Sequence, residues 1–173
     1  WERFLRGKRC KKDVIRFQAN LAENLASLHY DLRDRTYKHG SYSAFNISDP
    51  KSRSIHKASV RDRLLHNIIY KELYPYFDRS FIYDSYSCRK NKGTHRALDR
   101  FRDFARQVSR NHTRTCFVLK CDIRKFFASI DHAVLIKILE RHIEDLEILS
   151  LIKEVIASFY TTKSGIGLPL GNL

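Results

Sequence analysis

The chain has 173 residues, 43% of them hydrophobic, which is enough for one core or for two small subdomains sharing one. Lys and Arg number 33 against 19 Asp and Glu, a formal charge of +14. That excess points to a polyanionic partner, because basic side chains release counterions from phosphate backbones, and leaves a merely solvated basic surface as the competing reading. No apolar run approaches the ~20 residues of a spanning helix, so no membrane partner is expected and a cytoplasmic location is.

The elements follow in chain order. From Asp13 to Asp34, Val14, Phe17, Leu21, Leu25 and Leu28 recur at helical steps and predict one amphipathic helix. Gly40 to Pro50 reads as a turn and short extended structure, with Tyr42 and Phe45 against polar neighbours, and Ser52 to Lys57 as a strand of a hairpin. A second helix is predicted from Val60 to Phe77 along Leu64, Leu65, Ile68, Ile69 and Leu73, with Pro75 ending or kinking it near Tyr74. Phe81 to Arg89 is aromatic and irregular. Thr94 is the expected N-cap of a helix from His95 to Val108. Cys116 to Cys121 is an apolar run of strand length. Asp131 should cap a helix over His132 to His142, another follows from Leu146 to Tyr160, and Gly165 to Leu173 is a Gly/Pro-containing segment. There are no repeats or low-complexity tracts, and helices with a few strands between them make an α+β pattern.

Four cysteines, Cys10, Cys88, Cys116 and Cys121, match no zinc spacing. His112 and His132 lie near the last two in sequence, but reduced, partly buried thiols are the expectation. The sharpest local feature is Leu119 to Phe127, where a predicted buried strand delivers one carboxylate, Asp122, followed by Arg124, Lys125, Phe126 and Phe127. A carboxylate there can hold Mg²⁺, a hard cation that keeps phosphate oxygens as other partners. It reads equally as a helix cap or as an ion-pair partner of Arg124 or Lys125. Asp131 is the second carboxylate in reach, but its place before His132-Ala133-Val134-Leu135 makes it a cap, not a metal ligand. The chain opens on Trp1 and closes on Gly171-Asn172-Leu173, and it reads as a piece of something longer.

Lys120-Cys121-Asp122-Ile123-Arg124-Lys125-Phe126-Phe127-Ala128-Ser129-Ile130-Asp131-His132 resembles the first catalytic motif of bacterial reverse transcriptases, those related to group II intron, retron and diversity-generating enzymes. Upstream, Ser59-Val60-Arg61-Asp62-Arg63-Leu64-Leu65-His66 is similar to a fingers segment of that family. Asp84 through Ala97, containing Ser85-Tyr86-Ser87-Cys88-Arg89 and Lys92-Gly93-Thr94-His95, is similar to the segment that follows it. Gly165 to Leu173 resembles the start of the next motif. These segments stand in family order from about Ser52 to Leu173, and the first fifty residues match only loosely.

The resemblance implies helix-rich fingers and part of the palm of a right-hand polymerase. The expected division is a helical extension over 1–50, fingers over 51–115 and the first part of the palm over 116–173. Asp122 would be the first of three metal-binding aspartates and the catalytic residue, with the Ile123 carbonyl beside it on Mg²⁺. The other two belong to a Tyr-x-Asp-Asp turn that this stretch lacks, so the piece alone is expected to be inactive. Phe127 would stack under the incoming sugar and exclude a 2′-hydroxyl, while Phe126 would lie in the palm core. Arg53 and Arg61 would reach the triphosphate, where guanidinium forks suit phosphate oxygens, and Leu170 and Gly171 would flank the nucleotide. Arg63 would add a further cation for RNA, or pair with Asp62 or Asp78. Arg89, Lys90, Lys92 and His95, interleaved with Tyr83 and Tyr86, would hold an RNA template.

Leucine at Leu170, where most of the family has glutamine, resembles the enzymes of diversity-generating retroelements. A group II intron-like or phage-defence enzyme, or a non-catalytic RNA-binding module of fingers-like fold, are the alternatives. The implied partners are an RNA template, a DNA or RNA primer, deoxynucleoside triphosphates and a basic accessory protein. The piece is also expected to self-associate through the apolar run around Phe117, Val118 and Leu119.

Overall fold

The computed structural model describes residues 1–48 and 52–170. Six helices and one two-stranded sheet make up its regular structure: α1 (Lys12–Ala19), α2 (Leu21–Arg33), β1 (Ser43–Ser48), β2 (Ser52–Lys57), α3 (Val60–Asp78), α4 (Thr94–Val108), α5 (His132–Glu140) and α6 (Leu146–Ala157). By packing, the chain forms two units, one of Trp1–Tyr70 with Arg124–Leu173 and one of Lys71–Ile123, with the boundary inside α3.

In the first unit, the single helix expected over Asp13 to Asp34 is broken at Asn20, whose φ of −121° and ψ of 46° are not helical. Asparagine favours local bonds over helix continuation. The break is satisfied from the far side, since the Asn24 side chain donates to the Phe17 carbonyl at 2.9 Å, a group that the end of α1 leaves without a helical partner. Phe4, Leu5, Val14 and Leu28 from this region close one core with Tyr37, Val60, Leu64 and Leu65. The first helices are therefore part of the same packing that holds the start of α3. Truncating Leu65, 1% exposed, would remove about 2–5 kcal/mol of that packing.

The hairpin forms as the sequence indicates. β1 and β2 run antiparallel, with Ser43 opposite Lys57, Phe45 opposite Ile55 and Ile47 opposite Arg53. Asp131 caps α5, accepting from the Val134 N–H at 3.0 Å, as its position before an apolar run predicted. Asp145 does the same for α6 through the Glu147 and Ile148 N–H groups, at 2.8 and 3.0 Å. α5 and α6 end earlier than the expected His142 and Tyr160.

In the second unit, α3 runs to Asp78, one residue past the expected Phe77, and Pro75 does not end it near Tyr74. Pro75 removes one backbone donor close to the helix end, and the carbonyl of Asp78 is capped by Arg89 Nη2 at 3.2 Å. Thr94 is the first residue of α4 and not its cap; Gly93 holds the cap position with φ 109° and ψ 178°, a conformation that side chains disfavour. Cys116 to Cys121 forms no strand: Phe117 and Leu119 are 94% and 89% exposed. A strand is stable only when its backbone pairs with a neighbour, and among the described residues none pairs with this run. The cysteines are also more open than expected, with Cys10, Cys88 and Cys121 exposed and Cys116 half-buried.

Candidate functional site

The first unit is organised around one buried carboxylate. Asp62, 1% exposed, accepts from the Tyr37 hydroxyl and the Ser59 hydroxyl, both at 2.7 Å, and from the Gly40 N–H at 3.2 Å. Its own N–H donates to Ser59 Oγ at 3.1 Å, which fixes the first turn of α3. Burial alone would raise the Asp62 pKa. The hydrogen bonds from Ser59 and Tyr37, with His39 nearby, outweigh it and hold the carboxyl below its ordinary value. Burial and the Asp62 charge push the Tyr37 hydroxyl upward, so it remains a donor.

Around Asp62 lies a ring stack. His39 packs on Tyr42 and on His66, with centroids 4.9 and 5.2 Å apart. Its Nδ1 donates to the Gly40 carbonyl at 2.6 Å, and its Nε2 faces His66 Nε2 at 3.2 Å. Tyr42 bonds Ser158 at the end of α6, and Lys38 pairs with Glu154, so residues 38–42 are tied to that helix.

Two cations beside Asp62 take other carboxylates. Arg61 donates to Asp31 and lies over the Tyr37 ring, 5.0 Å from its centroid. Arg63 does not pair with Asp62 or Asp78. It is 7% exposed and bonded to Asp13, which also holds Lys57 at 2.6 Å. Burial would raise the Asp13 carboxyl, but the Lys57 hydrogen bond and the Arg63 charge leave it lowered. Arg63 is thus a buried anchor of α3 to α1, its donors turned away from solvent. Arg53, by contrast, is exposed on β2.

The same unit carries the segment from Arg124 onward, just after Asp122 and Ile123. Phe127 begins a single 3₁₀ turn, Phe127–Ser129. Its ring meets that of Phe126 edge-on at 5.5 Å, and both are about half exposed, so Phe126 is not in a core. The Leu168 N–H donates to the Phe127 carbonyl at 2.8 Å, and the His56 N–H of β2 donates to the Leu170 carbonyl at 3.1 Å. These bonds tie the Leu168–Leu170 stretch to Phe127 on one side and to β2, the strand that bears Arg53, on the other. Gly167 makes the approach possible, because a Cβ there would sit 2.6 Å from Thr161 Cγ2. Gly171 lies outside the described residues.

The second unit shows cations laid on rings. Lys90 Nζ is 4.8 Å from the Tyr74 centroid, and Lys92 Nζ is 3.7 Å from that of Tyr83 and 4.9 Å from that of Tyr86. Arg100 covers Tyr83 and Phe104 while bonding Asp84 at 3.0 Å. Arg89 differs from its neighbours. Besides the Asp78 carbonyl, it donates to Asp78 Oδ1 at 2.7 Å and to the carbonyls of Ile82 and Ser85 at 3.0 and 3.3 Å. Its hydrogen bond lowers the Asp78 pKa. Arg89 closes the loop, while Lys90 and the exposed His95 face solvent.

Asp122 and Ile123 are exposed. Among the described residues, no group of three or more His, Cys, Asp or Glu is placed to hold a metal ion. A carboxylate and a backbone carbonyl are oxygen donors of the kind that Mg²⁺ takes, and together they are only part of the set that it needs.

The family model for reverse transcriptase (RNA-dependent DNA polymerase) matches residues 40–171. The chain belongs to the reverse transcriptase family. It is also similar to the putative COX1/OXI3 intron 1 protein of Saccharomyces cerevisiae, 25% identical over 157 residues, which are 86% of this chain and 18% of that protein. The chain thus spans less than a fifth of that relative's length. Among the described residues of this reverse transcriptase chain, no helix is long and apolar enough to cross a membrane.

The family match begins at Gly40, yet Asp13, Asp31, Tyr37 and His39, all before it, partner the cations and the carboxylate of Arg61-Asp62-Arg63. Sequence reasoning missed all four. Their partners lie 23 to 50 residues away in the chain, and no local period marks such pairs.

Proposed function

We propose that the chain is the fingers and first part of the palm of an RNA-directed DNA polymerase, which extends a primer 3′-hydroxyl with deoxynucleotides on an RNA template. The family match over residues 40–171 carries this reading. In it, Asp122 and the Ile123 carbonyl contribute part of a Mg²⁺ site, a metal that supplies charge stabilisation to phosphoryl transfer when bound. Arg53 and Arg61 meet the triphosphate, Phe127 borders the sugar, and Leu170 with Gly171 borders the templating base. Lys90, Lys92 and His95 contact the RNA backbone, with Tyr83 and Tyr86 as stacking surfaces. Arg89 supports that contact by holding the loop closed.

RNA binding by the chain tests the template surface. Its affinity for single-stranded RNA should fall with salt at a log–log slope of about −0.7 per phosphate neutralised. Lys90→Ala and Lys92→Ala should each flatten that slope by roughly that amount. Arg89→Ala should instead weaken binding through loop opening, seen as faster proteolysis between Asp78 and Gly93. A slope unchanged by both lysine variants would return Lys90 and Lys92 to a solvated surface.

The subfamily rests on Leu170, whose side chain cannot hydrogen-bond within the nucleotide site as a glutamine would. A bond made only by the correct pair is worth about 0.5–1.5 kcal/mol, up to roughly tenfold in selectivity. In the complete polymerase, Leu170→Gln should lower misincorporation opposite template adenines while extension continues. The likeness to a yeast intron protein favours a second reading, a group II intron-like enzyme. Error frequency per template base separates the two: a wild type that copies adenines as faithfully as other bases belongs to the second.

A further inference from the structure

Arg61 is the cation whose surroundings say most about how it works. Its guanidinium lies over the Tyr37 ring and within 3.9 Å of Asp62 Oδ1, and it donates through Nη2 to Asp31. The two carboxylates are not equivalent. Asp62 is 1% exposed, and its oxygens are taken by Tyr37, Ser59 and the Gly40 N–H. It cannot leave without taking the acceptor from three donors, the buried Tyr37 hydroxyl among them. Asp31 stands in the last turn of α2, 38% exposed, and apart from Arg61 its carboxylate receives, among the described residues, only a long bond from Thr36 Oγ1 at 3.4 Å. The Arg61 side chain itself is 25% exposed. The guanidinium is therefore oriented by the ring and the buried charge, and its open edge is held by a carboxylate that solvent already reaches.

A carboxylate and a phosphate compete for the same guanidinium edge, since both accept paired N–H donors from it. Resting on the reading of Arg61 as a triphosphate ligand, we propose that Asp31 is a positioning residue which occupies the phosphate place on Arg61 until nucleotide arrives. Phosphate binding then exchanges one counter-charge for another, with the arginine kept on Tyr37 throughout. This arrangement prevents Arg61 from collapsing onto other acceptors, and it sets a cost that each phosphate must meet. The carboxylate comes from a helix that precedes the family match, so the nucleotide site extends into the amino-terminal segment.

The probe is inorganic tripolyphosphate, titrated calorimetrically into the chain. Arg61→Ala should weaken its binding about tenfold, as loss of a charge-assisted bond does. Asp31→Asn, nearly isosteric, should tighten it roughly two- to fivefold, the strength of a partly exposed ion pair. Asp34→Asn, which removes the same charge beside Arg33, should leave binding unchanged and so controls for net charge. In the double variant Arg61→Ala with Asp31→Asn, the gain from Asp31→Asn should vanish.

If Arg61→Ala weakens binding while Asp31→Asn leaves it unchanged or weaker, the exchange is overturned and Arg61 stands as a phosphate ligand. If Arg61→Ala changes nothing, the assignment of Arg61 itself fails. Should a variant unfold, the unmodified chain still decides by NMR. The Arg61 guanidinium and Asp31 carboxyl signals should move with one midpoint as tripolyphosphate is added, and an Asp31 signal that stays still overturns the proposal.

Discussion

Replacing Asp62 with alanine should lower the unfolding free energy of the chain by about 3–5 kcal/mol, the scale for removing one partner of a buried charge network. The loss is not that of one contact. The substitution takes the acceptor from the Tyr37 hydroxyl, the Ser59 hydroxyl and the Gly40 N–H, and of these the buried Tyr37 hydroxyl has least access to water in its place. It also removes the carboxylate beside His39, whose Nδ1 lies 4.0 Å from Asp62 Oδ2. Tyr37→Phe removes one donor but leaves the carboxylate two others, so it should cost about 1 kcal/mol. Urea unfolding followed by circular dichroism gives both values. An Asp62→Ala loss below that of Tyr37→Phe would show that the network does not hold the unit together.

What the sequence disclosed and what it hid follow one physical division. Features built from neighbouring residues were legible. The Asp131 cap, the hairpin of β1 with β2 and the helical stripe of α6 each depend on residues a few positions apart, where period and turn chemistry carry the signal. Features that need a distant partner were not. Arg63 read as a further cation for RNA, or as a pair for Asp62 or Asp78, yet it bonds Asp13, 50 residues away. Tyr42 and Ser158 are separated by 116. The run Phe117-Val118-Leu119 has strand chemistry, but a strand exists only where another pairs with it.

The site divides the same way. Motif order singled out Arg61, Phe127, Leu170 and the Arg89 loop as candidates, because those residue types stand in family order. Motif order could not say that Arg89 spends its donors on Asp78, Ile82 and Ser85, since a clamp and a ligand read alike in one dimension. Nor could it show that Asp31 reaches Arg61.

The second large effect is loss of stability on mild acidification. His66 sits in the stack beside His39, and burial, followed by the His39 and Arg63 charges, pushes its pKa down to about 4 against the pull of Asp62. In the unfolded chain it returns to about 6.5. Between those values the unfolded state binds more protons than the folded one, so stability falls as pH falls through that window and is whole above it. The full difference would be worth roughly 3 kcal/mol. His66 keeps part of its surface in water, so about 2 kcal/mol is the expected loss between pH 7 and pH 4.

Asp62 acts lower on the scale. Its folded pKa is depressed, so its contribution is present above the ordinary carboxyl value and is lost as pH falls through the folded one. Acid unfolding should therefore begin with His66 and finish with Asp62. His66→Gln removes the first titration and should flatten stability between pH 6.5 and pH 4, about the interval between the unfolded and folded values. It should leave the steeper fall below pH 4 in place, because the Ser59 and Tyr37 bonds to Asp62 remain. Urea midpoints taken at unit steps from pH 7 to pH 3 separate the two. A wild type as stable at pH 4.5 as at pH 7 would mean that His66 takes up its proton in the folded chain without penalty, and burial in the ring stack around His39 would not be what holds its pKa down.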